Sequence, residues 1–227
     1  MADIPYRELI GSLTHISHTT RPDIAYALGQ VAQYSQKPGK EHWKAAKRIL
    51  AYLSRTVNVG IKFGGGSDDL IGYCDSDYGG DLETRRSTSG SVFLFLGGPI
   101  SWSSKRQTCV ALSTTEAKFI AATEAAKEAV WLQRLLTELG RPQRTTQLRC
   151  DNQGAIALVK NPVFHQRTKH MDIRFFFIRE AQEEGKIDIN YINTDEQLAD
   201  IFTKALASPR FSKLCNLLNI VEIPERE

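Results

Sequence analysis

Asp75, Glu116, Asp151 and Asp200 are the residues of this chain whose types and settings could do chemistry. Asp75 closes the strand-like run Ile71-Gly72-Tyr73-Cys74-Asp75, and Asp151 closes a second, Leu148-Arg149-Cys150-Asp151. Glu116 opens a long helical pattern after Leu112-Ser113-Thr114-Thr115, and Asp200 lies in the short run Gln197-Leu198-Ala199-Asp200-Ile201-Phe202. Carboxylates at strand ends and helix starts can meet outside the carboxyl edge of an open α/β sheet. Brought together they repel unless a cation neutralises them, which points to magnesium or, as a substitute, manganese. Two such ions held roughly 3.5–4 Å apart suit phosphodiester hydrolysis, one acidifying the attacking water and the other stabilising the departing oxyanion.

Each residue also has a plainer reading. Asp75 sits among Ser76, Asp77, Gly79 and Gly80, a composition typical of turns, and Asp77 would share its face on a regular strand. Ser113-Thr114-Thr115-Glu116 fits a capping box that only secures a helix start. Asp151-Asn152 could cap the next helix, and Asp200 could be a solvated residue near Asp195 and Glu196. The ordered combination, rather than any single residue, carries the reading.

The elements that must position these residues fall into two differently patterned halves around Gly64-Gly65-Gly66-Ser67, read as a flexible linker. Residues 1–63 read as a helical segment: Tyr6 to Ile16, a helix started by Pro22-Asp23, and a third from about Glu41 to Arg55. The third helix carries Lys44, Lys47 and Arg48 largely opposite its apolar stripe, either as a solvated face or as a surface for nucleic-acid phosphates. Residues 68–207 mix strands and helices. Strands are expected over Leu70 to Asp75, Ser91 to Leu96, Ile100 to Ser103, Gln147 to Asp151 and Ile187 to Ile192, with Gly97-Gly98-Pro99 turning a hairpin. Helices are expected over Thr114 to Leu139, through Ala155 to Val159, over Lys169 to Glu183 before Gly185, and around Asp200. Residues 208–227 form a terminal helix and tail. Hairpin strands first and strand–helix alternation later predict an α/β fold, a five-stranded mixed sheet flanked by helices. Its first strand would be central, with the Asp151 strand beside it in parallel.

Composition narrows the class. Among 227 residues, 41% are hydrophobic and 24% charged, as in an ordinary globular protein, and the net charge of +3 is too small to argue for a nucleic-acid partner. Met1 to Glu8 has no uninterrupted apolar core, so no signal peptide is expected, and no apolar run nears the roughly 20 residues that span a bilayer. Cys74, Cys109, Cys150 and Cys215 form no Cys-x-x-Cys pair, which excludes an obvious zinc site and fits reduced thiols. Cys74 and Cys150 each precede a candidate Asp and should pack beneath the sheet.

Cys74-Asp75-Ser76-Asp77, Leu112-Ser113-Thr114-Thr115-Glu116-Ala117, Cys150-Asp151-Asn152-Gln153-Gly154-Ala155 and Leu198-Ala199-Asp200-Ile201-Phe202-Thr203-Lys204 together resemble the ribonuclease H domain of copia-type LTR retrotransposon polyproteins. Lys169-His170-Met171-Asp172-Ile173-Arg174 adds to that likeness. Upstream, Gly11-Ser12-Leu13, Thr20-Arg21-Pro22-Asp23-Ile24-Ala25-Tyr26 and Lys47-Arg48-Ile49-Leu50-Ala51-Tyr52-Leu53 look like the thumb and connecting segment of the same family's reverse transcriptase. The resemblance implies a ribonuclease H-like fold and Asp75, Glu116, Asp151 and Asp200 as ligands of two Mg2+ ions, with Asp77 excluded. It implies cleavage of the RNA strand of an RNA–DNA hybrid during reverse transcription. RNA presents 2′-hydroxyls in its minor groove, and Gln153, with Asn152 and Ser113, would read them. Lys105 and Arg106 would follow the DNA strand, where Trp102 either joins them or belongs to the core. The partners implied are the hybrid and the palm and fingers of the same polyprotein, in cytoplasmic virus-like particles or the nucleus.

Two features depart from the family pattern. Asn190 to Ala199 contains no His before the last Asp, where many ribonucleases H carry one, and His165 and His170 lie far upstream. The Tyr-x-Asp-Asp of a polymerase palm is absent, so DNA synthesis is not expected. Two other functions compete. One is a non-catalytic remnant or domesticated module that holds the hybrid without cutting it, against which the acidic residues intact at all four sites count. A transposase or integrase core would place Asp, Asp and then Glu in chain order, whereas Glu comes second here.

Overall fold

The computed structural model describes residues 4–161 and 169–223. Helix α1 (Tyr6–Thr19) is followed by a 3-10 turn at Pro22–Ile24, then by α2 (Ala25–Ala32) and α3 (Lys40–Arg55). These helices share a core of their own, with Tyr6, Ile10, Leu13, Leu28, Val31, Ala46, Ile49 and Leu53 buried. The i, i+3, i+7 spacing of Ala46, Ile49 and Leu53 makes the inner stripe of α3, while Lys44, Lys47 and Arg48 stay exposed. Beneath the bundle, Arg21 forms a buried ion pair with Asp23, donates to Thr56, and lies over the Tyr52 ring.

The main sheet contains β2 (Ile71–Ser76), β3 (Thr88–Phe95), β4 (Gly98–Arg106), β5 (Thr146–Cys150) and β6 (Ile187–Tyr191), in the spatial order β4-β3-β2-β5-β6. Strands β2, β3 and β4 are antiparallel, whereas β5 and β6 run parallel to β2. Helix α4 (Thr114–Glu138), α5 (Gln153–Lys160) and α6 (Lys169–Glu183) cover one face, over a core that includes Phe93, Phe119, Leu148, Ile178 and Ile189. Cys74 and Cys150 are buried in that core, as expected from their place beside the aspartates. The other face packs Val92 and Tyr73 against Ile201 and Phe202 and against Leu214 of α7 (Ser208–Leu217). This five-stranded mixed sheet with helices on both faces is the ribonuclease H-like architecture, and the N-terminal helices precede it.

Three local details differ from expectation. The hairpin turns at Leu96 and Gly97, both with positive φ (52° and 82°), so Gly98 and Pro99 already belong to β4. Gly64 to Ser67 is no loose tether, because the Gly64 amide donates to the Leu96 carbonyl at 2.8 Å and the Leu96 amide to the Ser67 carbonyl at 3.1 Å. The segment carrying Asp200 is a 3-10 turn, Leu198–Phe202, and not an α-helix. A short strand missed by pattern alone, β1 (Val59–Ile61), pairs antiparallel with β7 (Ile220–Glu222), joining the end of the helical segment to the C-terminal tail. Further ties connect bundle and sheet. The Trp102 indole donates to the Ser17 carbonyl at 2.8 Å, and Tyr52 packs edge-on against Phe211.

Candidate active site

Parallel pairing of β2 with β5 aligns Tyr73 with Arg149, and two steps further along the same register lie Asp75 and Asp151. Both aspartates therefore stand side by side at the carboxyl edge of the sheet. Asp75 is 1% exposed, and the Asp151 side chain is 4% exposed. The 3-10 turn brings the third, Asp200, beside Asp75, with Thr203 donating to Asp75 Oδ2 and to the Asp200 carbonyl, and leaves it 2% exposed. Gly90 on β3 permits that approach, since a Cβ there would lie 2.7 Å from Thr203 Cγ2 and 2.8 Å from Phe202 Cβ. Gln197, fully buried, donates to the Cys74 carbonyl at 3.0 Å and anchors the turn to the end of β2. Thr203 donates to Asp75 Oδ2 at 2.6 Å, and Thr194 to Asp151 Oδ2 at 3.1 Å.

Lys118, on α4, dominates the electrostatics. Its Nζ lies 2.6 Å from Asp75 Oδ1 and also donates to Asp151 Oδ1, so one ammonium bridges the two carboxylates. Lys204 Nζ lies 2.9 Å from Asp200 Oδ1, and Arg210 reaches Asp200 Oδ2 at 3.4 Å. Three carboxylates thus face three cationic side chains. Burial pushes the Asp75 carboxyl up, but the charge and hydrogen bond of Lys118 and the hydroxyl of Thr203 outweigh it and hold it below the ordinary carboxylate range. Burial works against the Lys118 ammonium too, and its two carboxylate partners reverse the effect, raising it above an ordinary lysine. Asp200 is raised, mainly by burial, with Lys204 opposing and the nearby Asp75 charge adding to it. Asp77, just outside, is pushed up to about 6 by burial, despite accepting a hydrogen bond from the Thr88 amide.

Glu116 is placed differently. Ser113 caps α4 by accepting from the Glu116 amide at 3.1 Å, while Glu116 Oε2 accepts from the Leu112 amide at 2.8 Å. The carboxylate is turned back along the chain, in the capping role that its sequence setting allowed. Two residues later, Lys118 projects about 200° around the helix from Glu116. Lys118 heads the buried stripe Ala122, Ala125, Ala129, Leu132 and Leu136, and that spacing is the signal that could have found it. A charged residue at the head of an apolar stripe needs a buried partner. Thr203, Lys204 and Arg210 are the other site residues that the four-carboxylate pattern did not single out.

The expected substrate-reading residues cluster beside the aspartates. Asn152 caps α5 by accepting from the Ala155 amide at 2.7 Å, and Thr115 Oγ1 lies 3.5 Å from its Oδ1, so the N-termini of α4 and α5 meet. Gln153 is exposed at the first turn of α5. On β4, Lys105 is exposed, whereas Arg106 is engaged with Asp81 and Gln33, each at 2.7 Å. Trp102 is half-buried and hydrogen-bonded to Ser17, a packing role rather than an open stacking surface. His165 and the side chain of His170 lie outside the described residues.

Carboxylate oxygens are the right donors for a hard divalent cation. Yet the place between Asp75 and Asp151 is filled by the Lys118 ammonium, and Glu116 is committed to Leu112. Among the described residues, no three carboxylate, imidazole or thiolate side chains are grouped to hold a metal ion. As arranged, the residues present do not fit a divalent metal.

Similarity to known proteins places the chain. It is 48% identical over 218 residues, 96% of its length, to the retrovirus-related Pol polyprotein from transposon TNT 1-94 of Nicotiana tabacum. It is 40% identical over 221 residues to the corresponding polyprotein from transposon RE1 of Arabidopsis thaliana. The chain matches a region of copia-type retrotransposon Pol polyproteins. It spans 16% and 15% of the length of these two Pol polyproteins. No protein-family model matches it. Among solved structures it is similar to a ribonuclease H1 isolated from compost, at 16% identity over 65% of this chain and 98% of that one, with a TM-score of 0.46. It is also similar to the foamy viral protease–reverse transcriptase in complex with dsDNA, at 13% identity over 83% of this chain and 38% of that one, with a TM-score of 0.47. Among the described residues of this Pol region, no helix is long and apolar enough to cross a membrane.

Proposed function

We propose that this Pol region engages RNA–DNA hybrids at the carboxyl edge of its sheet, with Asp75, Asp151 and Asp200 facing the RNA strand. The observation that carries the reading is the convergence on Asp75, from remote segments, of Asp151 across the β2–β5 register and Asp200 from the 3-10 turn, at one edge of a ribonuclease H-like sheet. Gln153, Asn152 and Ser113 flank them at the N-termini of α4 and α5, where polar groups suit 2′-hydroxyl contacts. Lys105 on β4 and the exposed face Lys44, Lys47 and Arg48 on α3 supply cations for the phosphate backbone. The partner within the element is the palm and fingers portion of the same polyprotein, in cytoplasmic virus-like particles or the nucleus.

Fluorescence anisotropy with a labelled hybrid, matched DNA duplex and matched RNA duplex tests the binding. Preference for the hybrid supports it, and equal affinity for all three duplexes refutes it. Hydrolysis of the RNA strand with Mg2+ or Mn2+ at Asp75, Glu116, Asp151 and Asp200 is a second reading, favoured by the oxygen-donor chemistry of these side chains. It requires Lys118 to leave the two aspartates and Glu116 to leave the Leu112 amide. Cleavage of labelled hybrid RNA by the parent, lost in Asp75→Asn and Asp151→Asn, would establish it.

A further inference from the structure

Lys118 stands where a metal-dependent centre would need its cation. Its ammonium stands between Asp75 and Asp151 and holds one oxygen of each, supplying positive charge where a cation would otherwise bind. Magnesium would bind such oxygens at about 2.0–2.1 Å with near-octahedral geometry. Local charge is already balanced, because Lys118, Lys204 and Arg210 match Asp75, Asp151 and Asp200. The lysine is also held in place. It sits on the inner stripe of α4, and the start of that helix is fixed by Gln107, which donates to the Ala117 carbonyl and to Ser89 Oγ, each at 2.9 Å.

We propose that Lys118 is a built-in counter-cation that takes the place of a divalent metal, so that this Pol region holds nucleic acid without magnesium and does not cut it. The inference rests on the hybrid-binding reading for its biological meaning, but its physical content is independent. A side chain at position 118 that touches both aspartates decides the sign of the site. A positive group closes it. A carboxylate at the same position would complete a cluster of acidic oxygens that only a cation can hold together.

The experiment is a manganese titration, read by electron paramagnetic resonance of free Mn2+, on the parent, Lys118→Glu, Lys118→Arg and Asp75→Asn. The parent and Lys118→Arg are expected to show no more Mn2+ binding than Asp75→Asn. Lys118→Glu is expected to bind Mn2+ at least tenfold more tightly than the parent, and the double variant Lys118→Glu/Asp75→Asn to lose that gain. Circular dichroism checks that each variant is folded. Should Lys118→Glu not fold, the parent against Asp75→Asn still decides. Asp75-dependent Mn2+ binding by the parent overturns the proposal. So does a folded Lys118→Glu that gains no binding.

Hybrid anisotropy in EDTA and in Mg2+ is run alongside. Equal affinity in the two buffers is expected for the parent, and affinity at least tenfold weaker in EDTA overturns the metal-free role. Absence of hybrid binding in both buffers would remove the binding reading while leaving the manganese result to judge Lys118 on its own.

Discussion

Replacing Lys118 by Met keeps most of its volume and removes its charge. The lysine side chain is 16% exposed, and its partners Asp75 and Asp151 are 1% and 4% exposed, so solvent can do little to replace it. Removing one partner of a buried ion pair leaves an uncompensated charge and costs about 3–5 kcal/mol. Thr203 and Thr194 still donate to the two aspartates, which argues for the lower part of that range. At roughly 2–4 °C per kcal/mol for a chain of this size, the melting temperature should fall by about 6–12 °C. The sign with pH follows from the two shifts. Asp75 is lowered in the fold, so its contribution is present above the unfolded carboxylate value of about 3.9 and is lost as pH falls below it. Lys118 is raised, so its contribution is present below about 10.4 and is lost as pH rises beyond. The difference between parent and Lys118→Met should therefore be flat across neutral pH and shrink toward both extremes. Urea denaturation at a series of pH values measures it. A loss below about 1 kcal/mol at pH 7, the size of a surface ion pair, would refute the buried bridge.

Other outcomes follow from the same structure. Arg21→Ala should destabilise the helical segment by about 3 kcal/mol, since it removes the cationic partner of buried Asp23 and leaves the Tyr52 hydroxyl donating to it, and a urea midpoint unchanged from the parent would contradict this. Asp77 is raised to about 6, so the folded state holds its proton more tightly and stability should decline as pH rises from about 4 through 6. Asp77→Asn should remove that decline, and a parallel pH profile for the two proteins would count against it. Neutralising Lys44, Lys47 and Arg48 together should flatten the log–log salt dependence of hybrid binding by about 0.9 for each phosphate they contact, and an unchanged slope would mean α3 faces solvent.

Much of this protein was legible in order and periodicity. The bounds of α6, Lys169–Glu183, follow from apolar spacing and a closing Gly185, and the central place of the Asp75 strand follows from hairpin strands preceding strand–helix units. The parallel neighbour that sets Asp151 beside Asp75 was equally readable, because a strand–helix–strand pattern constrains pairing. The strand Val59–Ile61 was not, since three residues carry too little pattern and their partner lies at the far end of the chain. The 3-10 form of Leu198–Phe202 was hidden for a similar reason: five residues do not distinguish one helical pitch from another.

The sequence by itself determined which carboxylates exist, their chain order and the architecture that collects three of them. Only the tertiary structure decided the sign of the centre. Glu116 and Lys118 are two residues apart on one helix, and the docking of α4 on the sheet turns the lysine, not the glutamate, toward Asp75 and Asp151. Helical phase relative to a distant strand depends on which side chains pack at long range, and local spacing alone does not carry that information.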